Sequence, residues 1–211
     1  QKLDDFSATH CVNEHFLEKL KILNGTYVLP LSVNYRGIFY NKRMLEKDGY
    51  QIPSTYAELI HTMQQIKKAG KLPIVFADKD SWTIHQGWDA IDMSSRGSQD
   101  NLFQNVLNGT TVLYEDPIAL DSTRKFLEIR QYGQKQTINT GYDEAVKKFA
   151  KGEAYMFLQG NWAYPIIKKI NPYMDLLFMP FPTYKENQAR VVAKIDATLG
   201  VSAFCKHPEA A

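Results

Sequence analysis

Apolar positions along this chain switch repeatedly between helical spacing and short continuous runs, a pattern that predicts helices alternating with buried strands. Residues 14–23 carry Phe16, Leu17, Leu20 and Ile22 and predict a short helix that stops at Asn24-Gly25. From Tyr27 to Tyr35 the chain reads as extended, interrupted at Pro30, and Gly37-Ile38-Phe39-Tyr40 reads as a buried strand. Thr55 and Glu58 after Pro53-Ser54 form a capping box, in which each residue satisfies a backbone donor at the helix start. Tyr56, Leu59, Ile60, Met63 and Ile66 then recur at helical spacing until Gly70, and Pro73 to Ala77 reads as a short buried strand. Asp116-Pro117 opens another helix that runs to about Tyr132-Gly133, with proline in the first turn, where its missing N–H costs nothing. Tyr142, Val146 and Phe149 mark a further helix closed by Gly152. Ala154 to Leu158 reads as a strand, Asn161 to Ile170 as a helix and Leu176 to Met179 as a strand. Pro180 and Pro182 mark a crossover, and Val191-Val192 and Thr198 to Phe204 are strand-like. The fold class that follows is α/β.

Composition narrows the function. Among 211 residues, 25 basic and 23 acidic side chains are mixed along the chain, so the net charge is only +2 and no basic arm for nucleic acid stands out. No apolar run approaches the roughly 18 residues that span a bilayer. The chain opens on Gln1-Lys2-Leu3-Asp4 without a secretory leader, and His207-Pro208-Glu209-Ala210-Ala211 reads as a helix cut off in its first turn. A processed or excised piece of a longer protein is therefore expected. Cys11 and Cys205 lack any CxxC or Cys/His spacing, so no metal site is implied; two free, partly buried thiols are expected, with a disulfide as the alternative.

Enzyme signatures are absent: there is no phosphate-binding loop, no Gly-x-Gly-x-x-Gly, no His-Glu-x-x-His and no Gly-x-Ser-x-Gly. No cofactor is implied. His10, His15, His61, His85 and His207 are scattered, and His61 lies off the apolar stripe of its helix. Asp116, beside Glu115, is better explained as an N-cap than as half of an acid–base pair. The sequons at Asn24 and Asn108 are Asn-Gly dipeptides and read as turns.

What remains is a set of aromatics among polar residues at element ends. Trp82 and Trp88 follow the strand at 73–77, close to Asp80, His85, Gln86 and Asp89. Trp162 follows Gly160-Asn161 at the start of a helix, and Tyr35 sits beside Asn34. Junctions of strand and helix are where open α/β sheets place ligands. An indole face can pack on the C–H surface of a sugar ring while neighbouring Asn, Asp and Gln bond its hydroxyls. The alternative is that the tryptophans are core.

Several of these segments resemble the sugar-binding proteins of ABC-type importers, the maltose-binding-protein-like family of extracellular solute-binding proteins. The run from Val28 to Lys42 is similar to the family's proline-containing crossover ending in "YNK", and Ile52 to Leu59 resembles its "P-x-T-W-x-E-L" helix start, with Tyr56 where Trp is usual. Phe149 to Met156 followed by Gly160-Asn161-Trp162 resembles "F-x-x-G-x-A-A-M…G-x-W", and Asp175 to Pro182 resembles the strand ending in "P-x-P". Lys206 to Ala211 is similar to the start of the family's "hPeaA" helix.

The resemblance implies a type II periplasmic-binding-protein-like fold, represented mainly by its second lobe with partial first-lobe segments. Residues 1–35 would be a first-lobe segment and hinge, 36–178 the second α/β lobe, and 179–211 a hinge and truncated return into the first lobe. The implied function is extracytoplasmic capture of a sugar or oligosaccharide, without chemistry, for delivery to an ABC permease in the membrane. Asn34, Tyr35, Trp82, Trp88, Asp89, Asn161 and Trp162 are the expected ligand contacts. The family often has a carboxylate where Asn34 stands, which leaves the sugar open. Two rival readings remain. The same fold could bind a peptide, a metal complex or a polyamine, the last through Asp80, Asp89 and Asp92. Alternatively, Asp89, Asp92 or Glu115 could serve a carbohydrate-active enzyme, whose two carboxylates should stand about 5–10 Å apart.

Overall fold

The computed structural model describes residues 2–4, 7–96, 102–191 and 193–207, and the chain divides into two compact units. The smaller unit comprises Gln1–Asn34 and Ala193–Ala211, and the larger comprises Tyr35–Val192. The chain rejoins the smaller unit at Ala193. Phe181 is sealed in the larger unit's core, and its carbonyl accepts from the Ser94 hydroxyl at 2.5 Å.

The smaller unit begins with α1 (Glu14–Leu20), capped by the Asn13 side chain. The expected helix to residue 23 ends early because Lys21 and Ile22 form β1, which turns through Leu23 and Asn24 into β2 (Gly25–Thr26). Leu23 and Asn24 both have positive φ, the mirror-image turn geometry that tight hairpins favour. Next come β3 (Val28–Pro30) and β4 (Val33–Asn34).

The larger unit opens with β5 (Arg36–Asn41), α2 (Lys42–Lys47), α3 (Tyr56–Lys68) and β6 (Leu72–Val75). It continues through α4 (Ser81–Ser95), α5 (Leu102–Leu107), α6 (Pro117–Arg130), α7 (Tyr142–Ala150), β7 (Ala154–Gly160), α8 (Ala163–Ile170) and β8 (Leu176–Met179). Back in the smaller unit, β9 (Lys194–Ile195) pairs with β4, and β10 (Thr198–Gly200) pairs with β3. The expected strand at Val191-Val192 falls in part on Val192, which lies outside the described residues; β9 follows it in the chain. So do Pro208 to Ala211, on which the expected terminal helix turn falls.

A four-stranded sheet, ordered β6-β7-β5-β8, organises the larger unit; β6 and β7 are parallel and the other pairs antiparallel. Both faces are covered, so β7 is buried at every position. Alternate residues serve opposite layers. Ile38, Tyr40, Ile74, Met156 and Leu158 pack with Leu59, Met63, Ile66, Ile91, Phe126 and Ile129, from α3, α4 and α6. Phe39, Val75 and Phe157 pack with Val146, Phe149 and Ile167, from α7 and α8. The Thr55–Glu58 capping box is formed in full, and Asp116 caps α6 by accepting from the Ala119 N–H at 2.7 Å. Cys11 and Cys205 are both free and both exposed, rather than partly buried.

Candidate functional site

One edge of this sheet collects the aromatics. Because β6 and β7 are parallel, their carboxyl ends share that edge, and the amino end of β5 joins it where Arg36 lies opposite Gly160. α4 starts there after β6, and α8 starts there after β7. α7 leads back into β7 and begins at the same edge, with Tyr142 against Trp82.

Trp162 folds back across the end of β7. A Cβ built on Gly160 would lie 2.0 Å from an indole carbon of Trp162, so only glycine lets the ring settle there. Trp82, in the first turn of α4, is 41% exposed, and its ring centroid lies 6.2 Å from that of Trp162 with the planes 55° apart. Tyr142 stands on the other contact of Trp82, at 5.1 Å and again 55°. Burial pushes the Tyr142 phenol up to about 12, and its oxygen is buried with no hydrogen-bond partner among the described residues. Tyr35 completes the edge at 40% exposed. Its N–H donates to Asn161 Oδ1 at 3.1 Å, while the Asn161 N–H donates to the Tyr35 carbonyl at 3.0 Å. This reciprocal clasp fixes the entry to β5 beside the residue that precedes Trp162.

Tyr35, Trp82, Asn161 and Trp162 are therefore brought together at one edge. Trp88 is not with them. It lies mid-helix in α4 rather than at a junction, and six residues of α-helix rotate it roughly 120° from Trp82. Its ring packs against the core layer, and its indole N–H donates to Thr123 Oγ1 at 3.0 Å. Asp89 is 1% exposed and ion-paired with Arg36, so its carboxylate is committed inside the unit. Asn34 belongs to the smaller unit, buried in β4 opposite Lys194.

The other carboxylates are committed too. Asp92 accepts from Arg96 Nε at 2.5 Å, and the same guanidinium reaches Asp116 Oδ1 at 2.5 Å. That arginine holds the Asp116 carboxyl below its ordinary range. Asp80 Oδ2 accepts from the Tyr142 N–H at 2.6 Å, and Glu115 lies exposed before α6. Neither the three-carboxylate cradle for a polyamine nor an Asp89–Asp92 catalytic pair is supported. Among the described residues no group of His, Cys, Asp or Glu is placed to hold a metal ion.

Sequence reasoning missed one member of the edge and the bond that ties another to it. Tyr142 reads simply as the start of an amphipathic helix, and Asp80 reads as a polar neighbour of the tryptophans and a candidate polyamine carboxylate, not as a partner of Tyr142. A partial signal exists in Gly141, whose position immediately before Tyr142 permits close approach of another chain segment.

Across residues 11–211 the chain matches the family model described as bacterial extracellular solute-binding protein. The chain belongs to that family. Among curated relatives of this solute-binding protein is the multiple sugar-binding protein of Streptococcus mutans serotype c, 26% identical over 201 residues, which cover 93% of this chain and 48% of the relative. Among solved structures, RafE in complex with raffinose superposes with a TM-score of 0.83 at 25% identity, covering 99% of this chain and 56% of that one. A structure from work on xylan utilization by the thermophilic bacterium Caldanaerobius polysaccharolyticus superposes at 0.87 with 21% identity, covering 100% of this chain and 56% of that one, and speaks to the fold alone. The chain spans about half the length of the curated relatives it matches. Its architecture is the type II periplasmic-binding fold in part, and among the described residues no helix is long and apolar enough to cross a membrane.

Proposed function

We propose that this solute-binding chain captures a sugar or oligosaccharide outside the cytoplasmic membrane and serves an ABC permease, with Trp82 and Trp162 as the sugar's bed. The observation that carries the reading is the tilted, half-open indole pair at the carboxyl edge of a parallel strand pair. Such a surface offers π faces to sugar C–H groups and needs no nucleophile. Tyr35 lies alongside, and the Asn161 side chain acts by fixing Tyr35 as well as by any contact of its own. Trp88 and Asp89 are assigned to the scaffold. The names of relatives that bind multiple sugars or raffinose support a carbohydrate over a polyamine, as does the commitment of Asp80, Asp89 and Asp92 to protein partners.

The larger unit corresponds in this reading to the second lobe, and the smaller unit to first-lobe segments joined through residues near 34–35 and 192–193. In the whole protein the first lobe closes over the sugar, driven only by the difference in affinity between open and closed forms.

The test is calorimetric titration with raffinose, stachyose and spermidine. The sugars should bind and spermidine should not. Trp82→Ala and Trp162→Ala should each weaken sugar binding at least about tenfold, equivalent to ~1.4 kcal/mol. Tight spermidine binding, or sugar affinity unchanged in both variants, would overturn the assignment.

A further inference from the structure

Asp80 occupies the N-cap position of α4 but makes no side-chain bond to its own helix. Its carboxylate turns away and accepts the Tyr142 N–H at 2.6 Å, at the start of α7. The residue at the N-cap position of α7 is Gly141, which has no side chain to offer. An aspartate from one helix start thus supplies the missing cap of another, where orphan N–H groups and the positive end of the helix dipole favour an anion. Two further contacts show that the arrangement is built. The Lys79 N–H donates to the Thr140 carbonyl at 3.1 Å, joining the same two loops one step earlier. A Cβ on Gly141 would lie 3.3 Å from Asp80 Oδ2, so the absence of a side chain there keeps the approach open. The start of α4 is secured by other means: the Thr83 hydroxyl lies 2.9 Å from both the Ala77 and Asp80 carbonyls.

The consequence falls on Trp82. It lies two residues beyond Asp80 and rests against Tyr142, the residue whose N–H Asp80 holds. Without that bond, α7 loses the anchor that sets Tyr142 against the indole, and the 55° tilt between Trp82 and Trp162 loses its support.

We infer that Asp80 is a positioning residue for the sugar bed: by capping α7 across the loop, it fixes Tyr142 and through it the angle between the two indoles. This rests on the reading of Trp82 and Trp162 as the sugar-binding surface, but the geometric part can be measured without sugar.

Two indoles this close and this tilted couple their transitions, so the ultraviolet circular dichroism of the full chain should carry an exciton couplet that Trp82→Ala or Trp162→Ala removes. Asp80→Ala should flatten the couplet and weaken raffinose binding about tenfold, a loss of ~1.4 kcal/mol. Asp80→Asn keeps an acceptor oxygen at the same place and should hold both readouts within about twofold, since amides and carboxylates cap comparably. Thr55→Ala is the comparator, because it breaks the capping box of α3 away from the indoles. It should lower the melting midpoint by a similar amount to Asp80→Ala and leave couplet and affinity alone. A couplet untouched by Asp80→Ala, or one that Thr55→Ala flattens equally, overturns the inference. A parent chain that shows the couplet and its loss in Asp80→Ala, yet binds no sugar in a panel of mono- and oligosaccharides that includes raffinose and stachyose, would sink the sugar reading and leave the positioning role standing.

Discussion

The two units of this chain obey the same local rules and reach different degrees of closure. In the larger unit a central strand is buried at every position, two helical layers cover the sheet, and ring after ring is sealed from water. Among the described residues of the smaller unit every ladder is two-stranded, α1 buries no residue, and Leu23 and Phe204 are 92% and 94% exposed. Turns and caps are correct in both: the Leu23-Asn24 turn and the Asn13 cap are as well formed as the Thr55–Glu58 box. Local correctness therefore does not make a core. A two-stranded ribbon gains stability only when further strands or a helix bury one of its faces.

The sharpest way to break this contrast is to injure each core and watch one signal. Trp82, Trp88 and Trp162 all lie in the larger unit, so tryptophan fluorescence during urea unfolding reports that unit. Phe149→Ala, at a fully buried site beside Phe157, should lower its unfolding free energy by about 3–5 kcal/mol. Leu29→Ala in β3 should leave the same transition nearly in place. Equal shifts from the two substitutions would show that the units unfold as one.

Next in size is the buried ion pair. Asp89→Ala leaves the Arg36 guanidinium without its partner inside the unit and should cost about 3 kcal/mol, because the desolvated charge is stranded. At temperatures where the variant remains folded, raffinose affinity should be little changed. A selective loss of affinity with intact stability would return Asp89 to the ligand.

This residue also shows where the sequence could and could not be read. The strands of the larger unit, α3, α7 and α8 were legible because their buried positions are mostly apolar, and α3 and α6 also because Thr55 and Asp116 mark their starts. α4 was not. Its buried face includes Thr83, Asp89, Asp92 and Ser94, polar residues satisfied by Arg36, Arg96 and the Ala77 and Phe181 carbonyls. A binary pattern cannot recognise a core face built from ion pairs. The same blindness placed Trp88 at a junction and Asp89 in a cleft, and it hid the Asp80–Tyr142 bond, which spans 62 positions. The position of Tyr35 and Trp162 at the sheet edge was legible because each lies directly beside a strand end. Cys11 and Cys205 came out exposed because they fall in the unit with the least interior.

A smaller effect should separate the units by pH. Asp116 has its carboxyl held low in the folded state, chiefly by Arg96, so it contributes stability above the ordinary carboxylate range. That contribution is lost as pH falls through the depressed folded-state value. Asp116→Asn keeps an acceptor for the Ala119 N–H but removes the charge facing Arg96. The variant should be less stable than the parent near neutrality, and the two should converge in strong acid, as read by tryptophan fluorescence. A gap that widened on acidification would contradict the sign.

The smallest effect is expected in the smaller unit itself. Phe204 is almost wholly in water, so Phe204→Ser removes no buried contact and should change unfolding free energy by less than about 0.5 kcal/mol. The same substitution should nonetheless reduce light scattering at high protein concentration, since an exposed ring, like exposed Leu199 and Leu31, offers apolar surface to other copies. Stability unchanged with scattering reduced would confirm that this unit's apolar residues act between molecules rather than within one. A loss of stability comparable to that of Phe149→Ala would mean that Phe204 is buried in solution, and the contrast between the two units would collapse.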